Sequence, residues 1–443
     1  MKTSITYKEI WKITYPIMLG YVVQNIITVT DTAFLGHVGE IELGASAIGG
    51  LFYLILVMLG FGFSIGAQII TARRCGEDRF SEIGNILEHS LYFLISIAIL
   101  SITTITPFIP RILNGIVQSK IVLNATNEFL NIRIYGLLFA YFNFGFRAFY
   151  IGIAKTKVIT YTTILMALTN IFLDYALIFG HFGFPEYGIG GAAIASVLAE
   201  VTASVFFIVY TLKFIDLKKY NLFTFKGFDF SELKRIFQIA FPIMIQYLVA
   251  ILGWFTFFVF IEKLGSHSLA ISNVIRSIYV VTLIPMWGFA SATNTLVSFL
   301  IGRERNNEVL PLILKIATLS LVGLSILIGI DLLIPEKIIS IYTNDHNLIS
   351  DALPVINTIS IAAFCMTFGF VMFNGVSGTG MTKITLFIES LVMTIYIIGT
   401  YTLVSIPSIK VQFVWTIEIA YGILLAGFSY LYLKSGQWRY KTI

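Results

Sequence analysis

Long apolar segments alternate with short polar connections along nearly the whole chain. A helix needs about 20 mostly apolar residues to cross a bilayer. The segments that meet this length are residues 13–35, 43–72, 89–110, 129–151, 158–180, 188–212, 236–261, 277–302, 310–334, 352–382, 384–409 and 411–433. The pattern therefore predicts an all-α integral membrane protein with twelve transmembrane helices.

The second half of the chain repeats the first half at a fixed offset. Residues 13–23, ITYPIMLGYVV, recur at 239–249 as IAFPIMIQYLV, so the offset is 239 − 13 = 226 residues. Glycine and Thr-Lys landmarks recur at the same offset: Gly39 at Gly265, Gly76 at Gly302, and Thr156-Lys157 at Thr382-Lys383. Apolar helices resemble one another by chance, but chance does not align such landmarks. We infer an internal duplication.

The longest polar stretch, residues 213–235, falls between the sixth and seventh segments. We expect an N-terminal six-helix lobe over 1–212, a cytoplasmic linker over 213–235 and a C-terminal six-helix lobe over 236–443. Because six is even, both lobes insert in the same orientation. The two bundles should then be related by a pseudo-twofold axis along the membrane normal, with substrate bound between them.

Lysine and arginine predict the orientation. With the N-terminus inside, 20 of the 29 lie on the inner side and 5 lie in outer loops. We therefore expect both termini in the cytoplasm, in a bacterial-type inner or plasma membrane. Only 12% of the residues are charged, against about 25% in soluble domains. The net charge of +5 is then a topology signal, and nucleic acid is not an expected partner.

Two aspartates lie inside predicted spans, where an ionised carboxylate costs roughly 2.5–3.5 kcal/mol at mid-bilayer. Asp31 is near the outer end of the first span, with Gln24 and Thr28 on the same helical face. Asp174 is in the fifth span, one turn after Asn170. Counting the helical rise puts both acids at a similar depth. They could share a proton or coordinate Na⁺; the alternative is two unrelated interfacial acids.

A third acid, Glu200, lies deeper, in the sixth span, one turn after Ser196. Two readings stay open: an ion-coupling carboxylate, or a buried structural pair with Arg133 or Arg147. For Arg147 and for Arg276, a structural ion pair is the expected role.

None of these positions has an acidic counterpart at the repeat offset. Asp31 falls on Phe257, Asn170 on Tyr396, Asp174 on Thr400 and Glu200 on Ala426. Glu389 and Glu418 are within reach of span ends, so we expect them at the interface. The N-terminal lobe is thus predicted to hold the ion site and the C-terminal lobe to be its apolar partner.

The sequence offers little that is typical of metal-binding, nucleotide-binding or catalytic sites. Cys75 and Cys365 have no ligand spacing, and residues 375–383, GVSGTGMTK, lack the lysine of a phosphate-binding loop. We expect no cofactor, no metal centre and no enzyme activity. An ion gradient, of H⁺ or Na⁺, is the energy source that the sequence offers.

Several motifs together resemble those of the multidrug and toxic compound extrusion (MATE) transporter family. They are the P-I-M…V-T-D-T-A-F-L-G-H-V-G run from Pro16 to Gly39, Asn170-x-x-x-Asp174 followed by Ile-Phe-Gly, the stretch from Gly190 to Ser196, and Gly-x-x-Lys-Thr-Lys or Gly-x-Gly-x-Thr-Lys after the fourth and tenth spans. The resemblance implies secondary active efflux of organic, often cationic and aromatic, compounds in exchange for inward H⁺ or Na⁺. One chain supplies both lobes, so we expect a functional monomer.

The resemblance also implies site residues. The family's acid on helix one maps onto Asp31, its helix-five pair onto Asn170 and Asp174, its helix-six hydroxyl onto Ser196 and its helix-four amide onto Asn143. Some branches carry acids in helices seven and ten, whereas residues 236–261 and 352–382 contain none. This departure favours coupling in the N-terminal lobe.

The expected hinge is Pro16, which removes one backbone hydrogen bond from the first helix. The runner-up function is a flippase for a lipid-linked sugar or another amphiphile. It predicts a basic central cavity, for which Arg147 and Arg276 are the candidates.

Overall fold

The computed structural model describes residues 5–115, 117–225 and 227–440. These ranges contain α-helices and short 3₁₀ turns and no strand. The helices are α1 Tyr7–Val38, α2 Glu40–Gly76, α3 Ile83–Ile105, α4 Ile109–Asn114, α5 Lys120–Arg133, α6 Gly136–Gly152, α7 Lys157–Phe179, α8 Gly188–Phe214, α9 Leu217–Tyr220, α10 Phe230–Glu262, α11 Ser266–Thr282, α12 Ile284–Gly302, α13 Val309–Leu333, α14 Pro335–Ser340, α15 His346–Gly378, α16 Thr382–Val404, α17 Val411–Val414 and α18 Ile417–Ser435.

Eleven helical segments of the described chain are long and apolar enough to cross a membrane. The remaining predicted span, 129–151, falls on α5 and α6. These helices are separated at Ile134 and Tyr135, so neither reaches that length alone. The predicted all-α membrane fold is confirmed.

The duplication is visible in the backbone. Gly39 precedes α2 as Gly265 precedes α11, and Asp78 and Glu304 both have left-handed φ, of 58° and 59°. The halves differ in where a helix breaks. The counterpart of the continuous α2 is divided at Leu283, because Pro285, in the first turn of α12, has no N–H to continue the ladder.

The described chain divides into two compact units, Leu19–Met244 and the remainder. Helices α1 and α10 each belong partly to both units. Each is divided two residues after its proline, Pro16 or Pro242. This division differs from the one drawn at the linker, because it exchanges the first parts of these two helices.

Close helix contacts hold the exchanged segments. Within one unit, a Cβ added to Gly62 would lie 2.7 Å from Met244 Cα. Within the other unit, a Cβ added to Gly288 would meet the side chain of Met18. Glycine is therefore required where α2 packs against the backbone of α10.

The predicted linker is partly ordered against α3. The amides of Thr224 and Phe225 donate to Glu88 Oε1, at 2.8 and 3.2 Å. The amide of Asp229 donates to Nε2 of the buried His89, at 2.7 Å. Two side chains of α3 thus fix the segment that leads into α10.

Candidate functional site

Helix α1 lies along α7 after Met18. A Cβ added to Gly20 would sit 3.5 Å from Thr163 Oγ1. Further along, the ring of Phe34 packs against Tyr175 and Phe179, with centroids 6.4 and 5.7 Å apart. This register brings the acid of α1 opposite the acid of α7.

The carboxyl groups of Asp31 and Asp174, hereafter the aspartate pair, lie within hydrogen-bonding reach of each other. Asp174 is 0% exposed and Asn170, one turn earlier on α7, is 1% exposed. Asp31 Oδ1 and both Asp174 oxygens meet no N–H or O–H donor within the described chain, and neither amide atom of Asn170 has a hydrogen-bond partner there. Because ionised carboxylates only accept hydrogen bonds, this contact needs a proton or a cation.

Glu200, on α8, pairs with Arg133. Arg133 Nη2 donates to Glu200 Oε1 at 2.7 Å and Nη1 donates to Oε2 at 3.1 Å. The Tyr53 hydroxyl accepts from Arg133 Nη1 at 3.0 Å, and the guanidinium lies 3.9 Å from the centroid of that ring. Of the alternatives left open by the sequence, the structure has the pair with Arg133.

A single arginine therefore lies near two of the three predicted acids. Arg133 is bound to Glu200 and also lies within electrostatic range of Asp31. Its one positive charge compensates Glu200. The aspartate pair retains no cation of its own among the described side chains, so charge balance calls for a bound proton or cation.

The other predicted site residues lie around this centre. Asn143 Nδ2 donates to the Glu200 carbonyl at 3.0 Å, and its Oδ1 accepts from Ser204 at 2.8 Å. Ser196 is half-buried and Gln24 is exposed. The structure brings neither Ser196 nor Gln24 into hydrogen-bond contact with the aspartate pair.

The ion pairs expected for two arginines are wrong. Arg147 Nη2 donates to the Tyr21 hydroxyl at 2.9 Å, and its guanidinium lies over the rings of Tyr21 and Phe61. Arg276 lies 5.2 Å from the ring centroid of Phe258. Within the described ranges neither guanidinium has a carboxylate partner, since both lie against aromatic faces instead.

Sequence reasoning also misplaced Glu389 and Glu418. They are 1% and 3% exposed rather than interfacial. Each accepts a hydrogen bond from a buried tyrosine, Tyr421 or Tyr396. The spacing carried a usable signal, because Glu389 and Tyr396 are seven residues apart and Glu418 and Tyr421 three, so each pair shares a helical face.

Comparisons with known proteins agree with this architecture. The sequence model of the MatE family matches residues 16–176 and again 242–402. The two matches start 242 − 16 = 226 residues apart and end 402 − 176 = 226 residues apart, which confirms the predicted duplication. The chain is 26% identical to a probable multidrug resistance protein NorM of Thermotoga maritima, over 98% of this chain and 94% of that protein. It is 27% identical to a probable multidrug resistance protein NorM of Synechocystis, over 81% of this chain and 78% of that protein.

Solved structures show the same fold. An outward-facing multidrug resistance MATE family transporter of the MOP superfamily superposes with a TM-score of 0.90, at 18% identity, over 97% of this chain and 95% of that one. A MOP superfamily transporter from Pyrococcus furiosus gives 0.89 at 19% identity, over 98% and 97%. The twelve-helix membrane fold predicted from the sequence is confirmed. With both halves matched by the family model, this chain belongs to the MatE family of multidrug efflux transporters.

Proposed function

We propose that the protein is a secondary antiporter that exports organic, often cationic and aromatic, compounds in exchange for inward H⁺ or Na⁺. The aspartate pair is its coupling site. The observation that carries this proposal is the contact between two carboxyl groups, one of them fully buried, with no cation partner in the described chain. Asn170, one turn away on α7, supplies an amide beside them.

Binding of the ion would be transmitted through α1. A proton or Na⁺ that enters from outside removes the repulsion between Asp31 and Asp174 and lets α1 pack on α7. Loss of the ion to the cytoplasm restores the repulsion. Pro16, two residues before the point where α1 passes from one unit to the other, weakens the helix there and is the proposed hinge.

The energetics suit efflux. A membrane potential of 100 mV contributes about 2.3 kcal/mol per net charge moved, roughly a fifty-fold concentration ratio. The NorM relatives are named as multidrug resistance proteins, which supports small organic substrates. We further propose a monomer in a bacterial-type plasma membrane with both termini inside, as the bias of Lys and Arg indicates.

The test is ethidium efflux from energised cells that express matched amounts of wild type, Asp31→Asn or Asp351→Asn, in buffers with and without Na⁺. Asp351 is an exposed aspartate against His267 and is the control. We expect wild type and the control to export the dye and Asp31→Asn to fail; the buffer that supports efflux identifies the ion. Normal efflux by Asp31→Asn would refute coupling at the aspartate pair. Wild type that exports no cationic dye would favour the flippase instead.

A further inference from the structure

The C-terminal helices contain a second buried acidic group that the proposed coupling site does not use. Tyr421 of α18 donates to Glu389 Oε1 of α16 at 2.7 Å. In return, Tyr396 of α16 donates to Glu418 Oε1 of α18 at 2.8 Å. Each helix thus supplies one glutamate and one tyrosine, and the two tyrosine rings meet edge to face, with centroids 5.5 Å apart. We call these four residues the glutamate–tyrosine cluster.

A third tyrosine faces this cluster. Tyr279 of α11 is 2% exposed, lies within electrostatic range of Glu418, and its hydroxyl has no hydrogen-bond partner within the described ranges. Its ring is held edge to face by Trp415, with centroids 6.0 Å apart. Burying a hydroxyl without a hydrogen-bond partner costs free energy. The position of the Tyr279 hydroxyl beside Glu418 therefore indicates that it forms a hydrogen bond in another state of the transport cycle.

No positive charge balances the two glutamates. The titratable groups that face them from the neighbouring helices are the three tyrosines, and Cys365 of α15 lies within electrostatic range of one of these, Tyr279. Arg276, also on α11, is exposed and lies against Phe258. Neither carboxyl group has a lysine or arginine partner in the part of the chain that the structure describes. An uncompensated charge at such a position is strongly disfavoured, so each glutamate is held as the neutral acid.

The glutamate–tyrosine cluster lies beside the positions of the second half that correspond to Asn170 and Asp31. At the repeat offset, Tyr396 corresponds to Asn170 (396 − 170 = 226) and Phe257 corresponds to Asp31 (257 − 31 = 226). Phe257 packs against the ring of Tyr396, with centroids 5.9 Å apart. The second half therefore keeps buried acids where the first half keeps its aspartate pair, although they come from different positions in the sequence.

We propose that the glutamate–tyrosine cluster is a second proton-binding site. Each glutamate takes up one proton on a carboxylate oxygen and releases it during the transport cycle, and no other bond changes. When one proton leaves, the tyrosine hydroxyls, including that of Tyr279, donate to the carboxylate that remains. This inference rests on the proposed antiport, and it adds protons to the ions that are exchanged.

The first test is infrared spectroscopy of the purified protein, which detects the carbonyl stretch of protonated carboxylic acids without requiring transport. The expected result is a band that persists in Asp31→Asn, is reduced in Glu389→Gln and in Glu418→Gln, and is unchanged in the control Glu262→Gln, an exposed glutamate of the same half. Tyr421→Phe keeps both acids and should shift the band without removing it. Absence of the band, or a carboxylate band that responds to Na⁺, would overturn the proposal.

The second test counts protons. In proteoliposomes, the number of protons taken up per dye molecule exported should be lower in Glu389→Gln/Glu418→Gln than in wild type, while dye export continues. An unchanged ratio would overturn the second site and leave coupling at the aspartate pair intact. If wild type moves no dye, the proposed antiport fails, and the infrared result alone decides whether the glutamates bind protons. If the double variant does not fold, the two single variants give the same comparison.

Discussion

The two halves of this duplicated protein hold their buried acids in different ways. In the first half, one arginine satisfies Glu200, and the aspartate pair is left without a cation among the described residues. In the second half, Glu389 and Glu418 each accept a hydrogen bond from a tyrosine, and neither has an arginine partner among the described residues. The difference shows that one scaffold can bury carboxyl groups either beside an arginine or beside tyrosine hydroxyls, and only the first arrangement depends on a salt bridge.

The largest expected effect is on that salt bridge. Arg133→Met leaves Glu200 buried and unpaired, which should lower the free energy of unfolding by about 3–5 kcal/mol. Glu389→Gln should change it little, because the glutamine carbonyl still accepts from Tyr421. Thermal unfolding of the purified variants in detergent measures both. Arg133→Met/Glu200→Gln should recover most of the loss; equal stability of Arg133→Met and wild type would contradict the comparison.

The next effect concerns a matched pair of glycines, Gly62 and Gly288, which are 288 − 62 = 226 residues apart. Gly62→Ala forces its Cβ against the backbone of Met244, whereas the Cβ of Gly288→Ala meets Cγ of Met18, a side-chain atom that a change of rotamer can move. Overpacking against backbone costs about 1–3 kcal/mol, so Gly62→Ala should lower the unfolding temperature more. An equal fall in unfolding temperature for Gly288→Ala would contradict this difference between the packing of α1 and that of α10.

Two asparagines of the first half have different expected roles, one in stability and the other in ion coupling. Asn143→Ala breaks the link between α6 and the carbonyl of Glu200, and we expect a loss of about 1 kcal/mol with the ion dependence of transport unchanged. Asn170→Ala removes a buried amide that has no partner within the described chain, so stability should hold while the ion dependence changes. Unfolding temperature and efflux in H⁺ and Na⁺ buffers measure the two effects. The reverse outcome would exchange the roles of the two residues.

The smallest effect lies where α10, the first helix of the second half, begins. The Asp229 carboxylate accepts from the Ser231 amide and hydroxyl, each at 2.8 Å, and these bonds hold its pKa below the ordinary value. The cap is therefore complete at neutral pH and is lost as the pH falls through that lowered pKa. The protection of the Ser231 amide against hydrogen exchange, taken relative to the intrinsic exchange rate at each pH, should fall under acid conditions. Asp229→Asn should remove this pH dependence; its persistence would assign it to another group.

Much of this could be predicted from the sequence, because apolar runs and a fixed offset report directly on spans and repeats. The similar depth of Asp31 and Asp174 in their spans already suggested that the two carboxyl groups could share a proton or an ion. The pairing of Glu200 with one arginine rather than another could not be predicted, since it depends on how α5 and α8 pack. Glu389 and Glu418 were misplaced because their burial comes from a tyrosine on a neighbouring helix, which distance from a span end does not reveal.

The division of α1 and α10 between the two units was also beyond sequence reasoning. Pro16 and Pro242 mark weak points in these helices. A proline does not specify which neighbours a helix contacts on either side of it. That choice is made by close contacts such as Gly62 with Met244.

Dye uptake into proteoliposomes driven by a single imposed gradient, of pH or of Na⁺, is the most direct test of coupling through the aspartate pair. Wild type should accumulate dye against its gradient under one of the two conditions. Asp31→Asn and Asp174→Asn should each abolish that accumulation while the dye still equilibrates downhill. Gradient-driven accumulation by either variant at the wild-type level would contradict the assignment of the coupling site to Asp31 and Asp174.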